Sequence, residues 1–387
     1  MSETVSIDPI ELTKSLITHP SVTPKDAGVL QELQNNLEKI GFQCTRYVFE
    51  EEGTDPVDNL FASYGDGSPH LCFGGHTDVV PVGNTDSWTN NPFESVIKDG
   101  KIYGRGTADM KSAIAAFASA ASNFINLGKF NGTISLLITN DEEGPAINGT
   151  KKVLEAITKS GIKIDSCIVG EPTCPTKLGE MIKIGRRGSL TANLSVQGIQ
   201  GHVAYPQWTL NPIDGLTKIL NTIINTKLDE GTEDFPPSNI EIVKIDADNT
   251  ADNVVPQSAT AQINIRYNIL QSKNGLIDLL TNITNGELAN TEYKLKIEFR
   301  NSATPFLTKE SEFTKKIKEA VDKVTGLKSI FSTTGGTSDA RFFKDYCEVA
   351  EFGLVGKTAH QVDEHVAVDD ILNLAKIYEE IIRKYFN

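Results

Sequence analysis

Five short stretches of this chain end in side chains that bind divalent metals. They are GGHTDVVP with His76 and Asp78, GRGTADMK with Asp109, NDEEGP with Glu142 and Glu143, VGEPT with Glu171, and KTAHQVDE with His360. Each alone has an ordinary explanation. Together they supply two imidazoles and several carboxylates, a donor set suited to a pair of divalent cations that share a bridging ligand. Hydrolysis is the chemistry such a pair serves, because it polarises a carbonyl and acidifies water.

The spacing inside each stretch carries its own argument. His76 and Asp78 are two residues apart, so on a strand they project to one face. A carboxylate there can take the second ring N–H of a ligating imidazole; the plainer alternative is a strand-end histidine beside a turn aspartate. Asp109 follows a Gly-rich turn and precedes a long helix, where it could cap the helix or bridge two cations. Glu142 and Glu143 are adjacent like charges, which are costly at a buried edge unless a cation neutralises one. One can then bind metal while its neighbour remains a general base. Glu171 precedes Pro172 at another apolar run's end, and His360 falls in a loop near the C-terminus.

The elements that must position these groups follow from periodicity. Asp8-Pro9 opens a helix through IELTKSLITH, and GVLQELQNNLEKIG is a second helix stopped by Gly41. HLCFGGH, GTISLLITNDEE and IDSCIVGEPT are short apolar runs that end at candidate ligands, as buried strands of a parallel sheet do. MKSAIAAFASAASNFINLG and TKKVLEAITKSG have helical spacing between them. Ligands at the carboxyl ends of such strands converge on one crevice. From about Lys183 the texture becomes alternating and β-branched, and after about Asn301 the helix–strand texture returns. The expected fold class is α/β: a catalytic domain (1–182 and 299–387) with a mostly parallel mixed sheet flanked by helices, plus an inserted α+β domain (183–298) with an antiparallel sheet.

Bulk properties narrow the partners. The chain has 387 residues with 39% hydrophobic and 23% charged content, enough for more than one packed core. A formal net charge of −14 argues against nucleic acid and anionic membranes. Five cysteines without a CxxC pair fit a reducing, cytoplasmic setting, and no signal peptide is evident.

At these residues the chain resembles the M20 family of metallopeptidases and amidohydrolases. GGHTDVVP, WTNNPFE, DGKIYGRGTADMKS, TNDEEG and VGEPT occur in that family's order over nearly the whole length. The resemblance implies two zinc ions, for which cobalt can substitute. His76 and Glu171 would bind one and Glu143 and His360 the other, with Asp109 bridging. Asp78 would orient His76, and Glu142 would be general base and acid. It further implies that the inserted domain is a lid and dimerisation module, and that His202, in QGIQGHVAYPQ, stabilises the oxyanion from the inserted domain of the other subunit in a homodimer.

KIGRRGSL, QGIQGHVAYPQ and STTGGTSDARF narrow the match within the family. They imply a small anionic N-acyl amino acid as substrate, and removal of the succinyl group from N-succinyl-2,6-diaminopimelate on a route to lysine. Arg186, Arg266 and Arg341 are candidates for its carboxylates, because guanidinium forks suit them; Arg187 is better read as a surface salt bridge. Gly336 and Thr337 lie in a loop whose N–H groups and hydroxyl can meet an anion, and Asn253 joins them by resemblance alone. Ala340 and Ala359 depart from the narrower pattern, which bears on acyl preference rather than on metal binding. The alternatives are another deacylase of the family, such as an acetylornithine deacetylase or aminoacylase, and a non-catalytic binding protein of the same fold.

Overall fold

The computed structural model describes residues 6–247 and 249–387. The chain divides into two compact units. The first comprises Met1–Ile184, Thr308–Ser332 and Ser338–Asn387; the second comprises Gly185–Leu307 with Thr333–Thr337.

The first unit is built on an eight-stranded mixed sheet. Its order is Gln43–Phe49, Val57–Asp66, Gly132–Thr139, His70–His76, Ser166–Val169, Glu348–Glu351, Met181–Lys183, Ile330–Ser332. The central four, from Gly132–Thr139 to Glu348–Glu351, run parallel. Three of these are buried along their whole length, which is why they read as continuous apolar runs instead of alternating ones.

Helices cover the sheet. Pro9–Ile17 starts where Asp8 accepts the N–H groups of Ile10 and Glu11 at 2.8 and 3.1 Å, with proline at the first helical position. Lys111–Ile125 is rich in alanine and serine, and every residue but Asn123 and Ile125 is buried. Its Phe117 stacks on Phe73 at 4.5 Å, and both rings meet the edge of Tyr378, from the helix Val368–Phe386, at 5.6 Å. Truncating Phe117 to alanine would cost about 3–5 kcal/mol by leaving a cavity under the sheet.

The parallel strands deliver their carboxyl ends to one edge. Where the chain leaves Glu348–Glu351 it crosses the end of Ser166–Val169 so closely that a Cβ on Gly353 would lie 2.4 Å from the Glu171 carbonyl oxygen and 2.5 Å from that of Gly170. Only glycine fits that crossing.

The second unit is an antiparallel sheet ordered Asn239–Asp246, Ser258–Tyr267, Gly188–Gln197, Lys294–Ala303, with the helices Pro212–Ile224 and Lys273–Glu287 packed on it. Strand Ser258–Tyr267 alternates strictly: Ala259, Ala261, Ile263, Ile265 and Tyr267 enter the core beside Leu216, Ile219, Leu276 and Leu280.

Two boundaries differ from the sequence expectation. A cut at 298 falls inside the strand Lys294–Ala303, because β periodicity continues through Ala303 before the chain returns. The Gly-rich loop, expected in the first domain, groups with the second unit over Thr333–Thr337. No helix among the described residues is long and apolar enough to cross a membrane.

Candidate metal centre

Each parallel strand contributes a candidate ligand as it ends. His76 closes its strand, Glu142 and Glu143 occupy the turn after Gly132–Thr139, Glu171 follows Ser166–Val169, and His360 lies in the loop after Glu348–Glu351. Asp109 enters from the segment before the helix Lys111–Ile125. It does not cap that helix; Met110 holds the cap position without a side-chain bond. Its carboxylate instead reaches both imidazoles, with Oδ1 3.2 Å from His76 Nε2 and Oδ2 3.3 Å from His360 Nε2. Glu143 Oε1 is 2.7 Å from His360 Nε2, and Glu171 Oε1 is 3.7 Å from His76 Nε2.

The two adjacent glutamates face different companions. Glu142 shares a ligand-sized space with His76 and Glu171, and Glu143 shares one with His76 and Asp109. Asp78 shapes this divergence. The His76 ring donates from Nδ1 to the Asp78 carbonyl oxygen at 2.9 Å, whereas the Asp78 carboxylate is 3.6 Å from that nitrogen. The carboxylate accepts the N–H groups of Glu142 and Glu143 at 3.3 and 3.0 Å. Orientation of the imidazole thus comes chiefly from the Asp78 backbone, and its side chain holds the glutamate turn. Asp141 braces the far side of that turn by accepting from Ala146, Ile147 and Asn148 at 3.1, 2.8 and 2.8 Å.

Electrostatics show an anionic cluster short of cations. Burial raises the pKa of Glu171 well above the ordinary carboxylate value, and the charges of Asp109 and Glu142 add to it. Burial likewise raises Glu142; the charges of Asp339, Glu143 and Asp109 add to this, and His76 opposes it. Burial pushes Asp78 up to about 7. Burial disfavours the cationic form of His76, but a hydrogen bond to Asp109 and the charges of Glu171 and Glu142 outweigh it and lift its pKa well above normal. Hydrogen bonds to Asp109 and Glu143 lift His360 to about 10.

These residues fit a divalent pair. Glu171 Oε1 is buried with no hydrogen-bond partner, a costly state for a carboxylate unless a cation takes it up. His76 commits Nδ1–H to a carbonyl, so its Nε2 must either carry a proton or present its lone pair to a cation.

The remaining sequence candidates divide between the units. Arg341 is in the first unit, 3.8 Å from Asp339 and 4.7 Å from the Phe342 ring. In the second, buried Arg186 lies on the short strand Gly185–Arg186, and a Cβ on Gly335 would meet its guanidinium at 2.5 Å. Gly335 has φ +108, so the exposed Gly335–Gly336 turn followed by half-buried Thr337 depends on glycine. Arg266 is held by burial below the ordinary arginine pKa, with the nearby Arg187 charge adding to the effect. Arg187 bonds the Asn239 side-chain oxygen at 2.9 Å, an amide where the sequence suggested an acid. His202 and Asn253 meet on a two-residue ladder: His202 pairs with Val254, and Val203 N–H donates to the Asn253 carbonyl at 3.1 Å. No sequence signal linked them, since a ladder this short has no periodicity. Asp141, Arg105 and Glu364 lie inside the motifs, where no spacing signal marks them.

The fold and cluster define a metal-dependent hydrolase class, and the comparisons give it a family. Residues 72–384 match peptidase family M20/M25/M40, and the chain belongs to that family. It is 50% identical over 378 residues to a succinyl-diaminopimelate desuccinylase of Pelagibacter ubique, covering 97% of this chain and 98% of that protein. It is 50% identical over 388 residues to one from Beijerinckia indica, covering 100% of both, and 47% identical over 384 residues to one from Ehrlichia canis, covering 99% and 100%. Among solved structures, an M20 family metallo-carboxypeptidase from Sulfolobus solfataricus superposes with TM-score 0.82 at 20% identity over 98% of this chain and 99% of that one. A dinuclear metal binding peptidase from Bacillus subtilis gives 0.69 at 15% identity over 98% of each. These two share the fold.

Proposed function

We propose that this protein hydrolyses N-succinyl-LL-2,6-diaminopimelate to succinate and LL-2,6-diaminopimelate, as a cytoplasmic homodimer joined through the second unit. The carrying observation is Asp109, whose two oxygens each face a different imidazole, as a bridging carboxylate requires. Identity near 50% along full-length desuccinylases supports the substrate.

His76 and Glu171 would hold one zinc and Glu143 and His360 the other, with Asp109 between; cobalt offers the same charge. Bound there, the pair would supply Lewis-acid polarisation of the acyl carbonyl and acidified water. Glu142 takes a proton from the attacking water as the new C–O bond forms at the acyl carbon. It returns that proton to the amine nitrogen as the C–N bond breaks. Burial and acidic neighbours raise its pKa, which suits a group that must both accept and donate. His202, brought from the other subunit, donates to the developing oxyanion. Arg186, Arg266, Arg341, Asn253, Gly336 and Thr337 would take the substrate's carboxylates.

The test is turnover of N-succinyl-LL-diaminopimelate against N-acetylornithine by the purified, zinc-loaded protein. Preference for the former is expected. Faster turnover of the latter would replace the substrate and leave the metal centre standing; no turnover of any N-acyl amino acid would favour a binding protein.

A further inference from the structure

One buried ion pair joins the two loops that carry Asp109 and His360. The short strands Lys101–Tyr103 and His365–Ala367 pair antiparallel, and Gly104 N–H donates to the Glu364 carbonyl at 2.9 Å. The chain entering GRGTAD therefore runs beside the chain leaving KTAHQVDE. Glu364 is fully buried there. Its Oε1 accepts the N–H groups of Gly106, Ala108 and Asp109 at 3.2, 2.8 and 3.2 Å. Its Oε2 accepts from Arg105 Nη1 at 2.7 Å. Arg105 Nη1 also donates to the Gln361 carbonyl at 3.3 Å, Nη2 donates to the carbonyls of His360 and Pro81 at 3.4 Å each, and the guanidinium lies 5.2 Å from the Trp88 ring.

The carboxylate thus grips the backbone that presents Asp109, and the guanidinium grips the backbone that presents His360. His360 has φ +63, a left-handed conformation that non-glycine residues keep when their surroundings enforce it. A buried ion pair adds little net stability over an apolar packing of the same volume. Added to the strand pairing, this pair fixes the separation between one carboxylate and one imidazole.

We propose that Glu364 and Arg105 are positioning residues that set the Asp109–His360 separation and so govern affinity for one of the two cations, the one shared with Glu143. This rests on the two-metal reading above. The experiment strips the full-length protein of metal and titrates it with Co2+, following visible absorption and bound stoichiometry, for wild type, Glu364→Gln and Arg105→Lys. Wild type should take two equivalents. In both variants one equivalent should bind as in wild type, while the other weakens about 10–100-fold and shifts its absorption bands. Two equivalents with wild-type affinity and spectrum would overturn the proposal. So would equal weakening of both together with a lowered melting temperature of the metal-free protein, the mark of a merely structural pair. If Glu364→Gln does not fold, Arg105→Lys, which keeps the charge and removes the guanidinium fork, decides alone. A wild type that takes fewer than two equivalents overturns the two-metal reading, and the clamp with it.

Discussion

In the second unit, Asp229 Oδ1 accepts the N–H groups of Gly231 and Ser238 at 2.9 and 3.1 Å and the Asn268 amide at 2.8 Å. Burial opposes its charge, but hydrogen bonds from Ser238, Asn268 and Gly231 outweigh this and hold its pKa well below the carboxylate range. In the first unit, Glu171 is buried among other acids, leaves Oε1 without a partner, and has its pKa driven up. The protein supplies donors to the acid that shapes a turn and withholds them from the acid at the strand ends. An anion left unsolvated by its own fold is a place prepared for something brought from outside.

Substitutions should separate the two units and the two kinds of acid. The largest effect is expected at Glu142. Glu142→Gln should lower kcat by about 10²–10⁴-fold with metal content unchanged by elemental analysis; a parallel loss of metal would make Glu142 a ligand and remove it as the base. Glu143→Ala should instead lose metal together with activity. His202→Ala, in the second unit, should cost about 10²-fold in kcat while keeping full metal content, and a variant with wild-type turnover would remove that unit from the chemistry.

Stability should show the contrast with opposite signs. In chelator at pH 7, Asp229→Asn should destabilise by about 1–2 kcal/mol, allowing for its partial exposure, because charge-assisted bonds are lost. Glu171→Gln should stabilise the metal-free protein, because its native state no longer has to protonate a carboxylate that the unfolded chain leaves ionised. Urea unfolding of both variants in chelator measures this, and matching signs would break the comparison.

The pH dependence follows from the directions of the two shifts. Asp229 has a depressed folded value, so its contribution is present above an unfolded value of about 3.9 and is lost as pH falls through the folded value. Glu171 has a raised folded value, so native metal-free protein binds a proton that the unfolded chain has released. Stability therefore falls as pH rises from about 4.3 toward the folded value. The Glu171→Gln advantage should be absent near pH 4 and grow toward pH 7; a pH-independent advantage would show that packing, not charge, causes it. Because metal displaces bound protons, loading at pH 7 should release protons, measurable by calorimetry in buffers of different ionisation enthalpy.

Much of the first unit was legible because buried parallel strands and their helices announce themselves as runs and periods, and the ligands sit where those runs stop. The residues that tune the ligands were less legible. Asp78 was expected to orient His76 with its side chain; the backbone carbonyl does so at 2.9 Å, a contact no residue identity encodes. Arg105 and Glu364 lie within the GRGTADMK and KTAHQVDE motifs, but their pairing joins positions far apart in the chain, brought together by the pairing of Lys101–Tyr103 with His365–Ala367. The Gly-rich loop was assigned by sequence neighbourhood, whereas its partners, such as Arg186, decide where it belongs.

Gly353 carries no side chain, yet the chain crosses there so closely that a Cβ would lie within 2.5 Å of the Gly170 and Glu171 carbonyl oxygens. A methyl group would force the strand end and the returning loop apart, and with them the groups each delivers. In a mutational scan scored by growth, Gly353 would therefore stand beside Glu142 and His76 as intolerant to every replacement. Intolerance to change would mark the hinge of the scaffold there, and a reader who equated it with chemistry would assign a reaction to an empty space.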